Sequence, residues 1–268
     1  MRLLLPLLSC FLVVGDLFTI VHAETDVSWQ QSFTTPTTTM DGPVCNRTVL
    51  SCHWNGSDEN TCCSPKYGLV VFTLQWVPGY GPSDEFTIHG IWPDNCNGSR
   101  APRRGCDKTR ISKNIGPIIK SMNPELHQQM ARLWPSYKGD NNWFWSHEWN
   151  THGNCVSTLR PNCYANYTKY QDVNDYFQKA IDLHHDYDIY GALNVAGVLP
   201  GRTYSVETML TALKQAYGSR VKIDCDRSGQ LKEIGLFFYV KGRDEYVLTD
   251  AVHRGSCGAR GVYYPKKY

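Results

Sequence analysis

Gly68-Leu69-Val70-Val71-Phe72-Thr73-Leu74-Gln75-Trp76 is β-prone and almost wholly apolar, which predicts a buried central strand. Residues 84–89 follow with alternation, Phe86 and Ile88 on one face and Thr87 and His89 on the other. Near the C-terminus, residues 234–240 (IGLFFYV) and 245–249 (EYVLT) predict a hairpin about Gly242. Helical patterns lie between these strand-forming ends. Val173, Tyr176, Phe177, Ala180 and Ile181 have i, i+3, i+4 spacing, and Val206, Met209, Leu210 and Leu213 repeat it from a Ser205 cap to Gly218. Strands first and last with helices between predict an α+β fold, a central and mostly antiparallel sheet with helices packed to one side.

The chain has 268 residues, enough for one large domain or two small ones with a real core. With 41% hydrophobic and 19% charged residues, wholesale disorder is excluded. A net charge of +2 excludes a protein that coats nucleic acid or membrane electrostatically. Arg2 precedes an apolar stretch, residues 3–20, broken only by Ser9, Asp16 and Thr19, and Val21-His22-Ala23 offers small residues for cleavage before Glu24. Residues 1–23 therefore read as a signal peptide, and Asp16 with the imperfect run argues against a membrane anchor. The expected destination is outside the cell or a vacuole-like compartment, with no membrane association after cleavage.

Removing that segment takes away Cys10 and leaves ten cysteines, an even set that reads as five disulfides. No C-x-x-C occurs, which weakens a metal reading. Sequons at Asn46, Asn55, Asn97 and Asn166 agree with passage through a glycosylating compartment. Residues 24–44, rich in Thr and Ser and without periodicity, read as a flexible leader. With no repeat and no second linker, one domain is expected over residues 45–268, and with no recognisable oligomer interface, a monomer.

Two segments concentrate chemistry: residues 86–94 (FTIHGIWPD) and residues 144–155 (FWSHEWNTHGNC). Together they place three of the nine histidines beside a glutamate and a run of tryptophans. A metalloprotease helix needs two histidines four apart, whereas the interval from His147 to His152 is five, which turns the rings roughly 140° apart on an α-helix. Glu148 and His152 do share a face, which fits a carboxylate orienting or charging an imidazole. A serine hydrolase is weak because no G-x-S-x-G elbow occurs. Histidines without a metal or cofactor motif suit RNA cleavage by its own 2′-hydroxyl, which needs a base for that oxygen and an acid for the 5′-oxygen leaving group. Exposed aromatics can stack single-stranded bases.

His89-Gly90-Ile91-Trp92-Pro93-Asp94-Asn95-Cys96 and His147-Glu148-Trp149-Asn150-Thr151-His152-Gly153-Asn154-Cys155 resemble the two active-site segments of the ribonuclease T2 family. The likeness extends through Cys62-Cys63-Ser64-Pro65, Gly79-Tyr80-Gly81-Pro82, Cys163-Tyr164 and two longer stretches, residues 175–180 and 239–244, and is strongest toward the secreted fungal branch. The resemblance implies an endoribonuclease of broad specificity on single-stranded RNA, making a 2′,3′-cyclic phosphate and then a 3′-phosphate. It implies no metal or other cofactor, and no DNA substrate, because the 2′-oxygen is the nucleophile. His152 would be the base, His89 the acid, His147 a phosphate ligand, and Glu148 a stabiliser of the transition state. Trp92 and Asp94 would form the first base pocket, flanked by Phe144. Gln75, Pro135 and Ser136 would line the second. The implied disulfides are Cys45–Cys63, Cys52–Cys96, Cys62–Cys163, Cys106–Cys155 and Cys225–Cys257.

The chain departs from the family pattern at two positions. Arg100 stands where fungal relatives place a tyrosine against the first base; a guanidinium can stack there, or can join Arg103 and Arg104 in solvent. Thr151 stands where the family usually has a lysine, which leaves open a second reading as a weakly active or inactive RNA-binding effector. A preorganised electrostatic donor is worth roughly 3–4 kcal/mol, a hundredfold or more in rate. Thr151→Lys is therefore expected to raise kcat on RNA, and steady-state kinetics showing no gain would overturn this account of the position.

Overall fold

The run about Val71 becomes β1 (Leu69–Gln75), every residue of which is buried. In the computed structural model, which describes residue 45 and residues 49–53 and 60–268, β1 is flanked on both sides by antiparallel partners. These are β2 (Thr87–Asp94) and the long β5 (Leu231–Lys241), whose far edge pairs with β4 (Lys222–Cys225) and β6 (Glu245–Thr249). A separate two-stranded ribbon joins β3 (Arg202–Tyr204) to β7 (Val262–Tyr264). The expected signal peptide and leader, and the sequons at Asn46 and Asn55, lie outside the described residues.

Alternation along β1 divides the molecule. Val70, Phe72 and Leu74 face a large core built with α1 (Ile115–Met122), α2 (Pro124–Leu133), α3 (Asn141–Thr151), α4 (Gln171–Asp186), α5 (Ile189–Val195) and α6 (Val206–Tyr217). Leu69 and Val71 face the other way and pack with Phe237 in a small cluster. The helices thus cover one face of an antiparallel sheet, the α+β arrangement expected from the order of the elements. The second helical pattern sits in α6: Ser205 accepts a hydrogen bond from the Thr208 N–H at 3.0 Å, and Gly218 ends the helix at φ +78°. The hairpin turns at Gly242, φ +61°.

Five disulfides join Cys45–Cys63, Cys52–Cys96, Cys62–Cys163, Cys106–Cys155 and Cys225–Cys257, the pairing that the family resemblance implies. Two of them fix chain just beyond the histidine segments, at Cys96 and Cys155. Asn97 and Asn166, the sequons within the described residues, are both exposed.

Arg110 ties the loop before α1 to the helices. Its Nε donates to Asp172 Oδ2 at 2.8 Å, both side chains being almost fully buried, and its other nitrogens donate to the carbonyls of Asn154 and Leu159. The guanidinium lies over the Trp149 ring, and the Trp149 indole donates back to the Arg110 carbonyl at 2.7 Å. Losing one partner of a buried pair leaves the other charge unpaired, at a cost of about 3–5 kcal/mol. Arg110→Ala is expected to lower the free energy of unfolding by about that amount in a denaturant titration, and a loss under ~1 kcal/mol would show that the hub does not hold these segments together.

Candidate active site

The β1–β2 ladder contains one irregularity: Thr73 pairs with Gly90, and the next residue, Leu74, pairs with Ile88. His89 is the extra residue of a β-bulge. Strict alternation would send Ile88 and Ile91 to opposite faces, but with the bulge both enter the main core. His89, Trp92 and Asp94 then share the opposite face, as lining of a cleft of about 460 Å³. Gly90 beside them has no room for a side chain, since a Cβ there would collide with the Trp92 indole nitrogen and a Glu148 carboxylate oxygen. The bulge backbone is held from behind by Trp134, whose indole donates to the His89 carbonyl at 2.9 Å.

The second histidine segment comes from α3, capped by Asp140 accepting from the Trp143 N–H at 2.8 Å. Phe144, Trp145, Ser146, Glu148 and Trp149 are all buried, so this helix has little polar face. His147 is exposed at the mouth of the cleft, its ring stacked on Trp143 at 5.5 Å and 8°. The helix stops at Thr151, and His152 takes φ −123°, ψ −52°. That departure from helical geometry corrects the expectation that the two rings point roughly 140° apart, because both histidines line the same cleft. A second correction concerns Glu148. Its carboxylate accepts from the Trp92 indole at 2.9 Å, and what joins it to His152 is the backbone bond from the His152 N–H to the Glu148 carbonyl. The carboxylate paired with an imidazole is instead Glu233 of β5, whose Oε1 meets His89 Nδ1 at 2.9 Å.

Burial sets the protonation of the site. Glu148, 1% exposed, is pushed up to about 7 by desolvation, against the opposing pull of His89 and the Trp92 hydrogen bond. His152 is pushed down to about 3 by burial and then by the positive charges of His147, His89 and Arg100. His147 moves down for the same reasons, burial first and then His89 and Lys138. Burial raises Asp94, opposed by the Ala101 N–H and Arg100. Burial would raise Glu233 too, but the His89 hydrogen bond and charge, joined by Lys232, outweigh it and hold the carboxyl down at about 2.

Of the remaining residues expected from sequence, Arg100 is exposed at the lip yet lines the cleft, bridged to Asp94 across an isolated pair. Phe144 lies in the main core with its ring 6.0 Å from His89, a wall behind that imidazole and not an open flank of the cleft. Gln75 is buried in the ladder, donating to the Ile88 carbonyl, and Ser136 is buried beside the half-buried Pro135; none of these three lines the cleft. Thr151 does not line it either. Sequence reasoning missed Glu233, Lys232, Lys222 and Asp224, which form the opposite wall, with Lys222–Asp224 at 2.7 Å and Lys232–Glu233 at 3.1 Å. The available signal was Lys232-Glu233 at the start of an apolar strand, where a charged residue must be paired. A larger cleft of about 610 Å³, between α6, β4 and residues 251–257, holds none of the expected catalytic or base-binding residues, so its size does not make it the site.

The Ribonuclease T2 family model matches residues 48–250. Ribonuclease Rh of Rhizopus niveus is 51% identical over 223 residues, covering 83% of this chain and 92% of its own length. Ribonuclease T2 of Aspergillus oryzae is 39% identical over 240 residues, covering 84% and 85%. Among solved structures, that of Actibind, a T2 ribonuclease, superposes with a TM-score of 0.79 at 36% identity, over 86% of this chain and all of the other.

Glu148 generates a stability prediction. A carboxyl whose pKa is raised to about 7 binds its proton in the folded state where the unfolded chain, at 4.5, has released it. The penalty therefore builds between pH 4.5 and 7 and is complete above 7. Glu148→Gln removes the ionisation. It is expected to stabilise the protein at pH 8 by on the order of 2–3 kcal/mol, with little change at pH 4, measured by urea unfolding; equal effects at both pH values would refute the buried-acid reading.

Proposed function

This chain belongs to the ribonuclease T2 family and is an endoribonuclease of the fungal type, and from that premise we propose that the cleft between β2 and α3 cleaves single-stranded RNA through its own 2′-hydroxyl. The observation that carries this reading is the convergence of His89, His147, His152 and Glu148 on one cleft in complementary protonation states. His152, neutral above about pH 3, takes the 2′-hydroxyl proton as the 2′-oxygen attacks phosphorus. His89 gives a proton to the departing 5′-oxygen. Glu148 keeps its proton up to about pH 7 and donates to a phosphoryl oxygen that a carboxylate would repel. His147 meets the phosphate at the mouth. The 2′,3′-cyclic phosphate is then opened by water with the two proton transfers reversed.

Asp94 keeps Oδ2 for a base amine while Oδ1 is held by Ala101, and Trp92, between the His89 and His152 rings at 5.0 and 5.2 Å, bounds that base. Arg100 lies at the edge of this pocket, and a glycan on Asn97 would sit near it. The second base site at Gln75, Pro135 and Ser136 rests on the family resemblance alone. On this reading the chain acts as a monomer on RNA outside the cell or in a vacuole-like compartment, the compartment being supported by the apolar N-terminal segment and the five disulfides. Thr151 is the one residue that favours an RNA-binding effector over a fast enzyme.

RNA incubated with the protein in EDTA is expected to yield 2′,3′-cyclic ends while DNA stays intact, with a bell-shaped kcat/KM profile whose acid limb lies well below pH 6. Abolition by EDTA overturns the metal-free mechanism. A rate still climbing through pH 9 overturns the histidine roles, and no cleavage at any pH supports the effector.

A further inference from the structure

Glu233 is 9% exposed on β5, placed across the ladder from Gln75 and Asp224, and its Oε1 is the hydrogen-bond partner of His89 Nδ1. A carboxylate only accepts, so Nδ1 carries the proton of that bond. The other ring nitrogen, Nε2, has no protein partner among the described residues. Trp134 holds the His89 carbonyl, and the imidazole is bounded by the Trp92 ring, edge-on at 83°, and by Phe144 behind it. Lys232 holds the same Oε1 from the outer side at 3.1 Å and keeps Glu233 aimed into the cleft.

We infer that Glu233 is the positioning residue of the general acid, fixing the His89 tautomer so that Nε2 is always the nitrogen that exchanges a proton with substrate. The inference rests on the assignment of His89 as the acid. In the first step the 2′-oxygen–phosphorus bond forms, the phosphorus–5′-oxygen bond breaks, and the Nε2 proton passes to the 5′-oxygen, leaving a neutral imidazole with its remaining proton on Nδ1 against Glu233. In the second step that bare Nε2 takes a proton from water as the water oxygen attacks the cyclic phosphate, and protonated His152 returns one to the 2′-oxygen. One carboxylate thereby serves both steps. Besides Glu233 and Lys232 from β5, the charged and titratable groups around His89 are Glu148 and His147 from α3 and His152 at its end.

A leaving group that needs no proton separates this role from a structural one. Kinetics of Glu233→Gln and Glu233→Asp are compared on a dinucleoside phosphate and on a nucleoside 3′-(para-nitrophenyl phosphate), whose phenolate departs unprotonated. Glu233→Gln is expected to lose roughly 10- to 100-fold in kcat on the dinucleotide with KM nearly unchanged, to shift the alkaline limb of that profile to lower pH, and to lose less than about threefold on the nitrophenyl ester. Glu233→Asp recovers part of the loss. Equal losses on both substrates, or none on either, overturn the inference. His89→Ala is the reference: if it too loses equally on both, the acid assignment itself has failed, whereas a selective loss there without one in Glu233→Gln rejects only Glu233. In the wild-type protein, ¹⁵N shifts of neutral His89 are expected to show Nδ1 protonated, and a bare Nδ1 overturns the proposal whatever the variants do.

Discussion

Between Thr73 and Leu74 the partner strand advances by two residues instead of one, and the unpaired residue is His89. Side chains in a ladder alternate with a period of two, so a single inserted residue reverses the face of everything beyond it. Without the insertion Ile88 would share a face with Trp92 and Asp94, and His89 would share the opposite face with Ile91, so the strand could not bury both isoleucines and present all three site residues to the cleft. With it, Ile88 and Ile91 both join the core, and His89, Trp92 and Asp94 stand on one face. The close approach of Glu148 and the Trp92 indole depends on the same irregularity, because Gly90 is the only residue type that leaves them room.

Around that constraint the site is built from groups that burial drives away from charge. Glu148 is held protonated and His152 neutral by the same cause acting on opposite chemical types. Glu233 is the exception, and its exception has a partner: the burial that would neutralise it is overcome by His89 and Lys232. Three titratable groups in one small cleft thus take three different states: a protonated carboxyl at Glu148, a neutral imidazole at His152 and an ionised carboxylate at Glu233. Arg110 does for the surrounding chain what Glu233 does for the ring, anchoring the Asn154 and Leu159 carbonyls next to the end of α3.

Much of this was legible in the sequence where the signal is local. The apolar run of β1, the hairpin at Gly242, the spacing in α4 and the Ser205 and Gly218 caps of α6 depend on residues near one another, and the structure follows them. The short α1 and α2 were not read, although Asn123-Pro124 carries a start signal that the Asn123 side chain honours by accepting from the Leu126 N–H. β5 begins at Leu231, three residues before the apolar run suggests, and that extension carries Glu233. Neither the bulge nor the His89–Glu233 pair could be seen locally, since both depend on register between strands 144 residues apart or on a ladder slip with no composition of its own. The meeting of His147 with His152 was hidden for a different reason: a helical wheel assumes that the helix continues, and α3 ends one residue too soon.

The division of β1 into two faces has a consequence for how such a protein can change over generations. Val70, Phe72 and Leu74 answer only to the helical layer, while Val71 and Thr73 answer to the floor of the cleft. Replacements on the part of the helical layer remote from α3 alter stability, whereas α3, with His147 and Glu148, and Trp134 and Phe144 behind His89 tie one edge of that layer to the cleft. Sequence drift can therefore run through the part of the interior that touches neither α3 nor β2 without retuning the catalyst, and new substrate preferences can arise on the open face without repacking that part of the core.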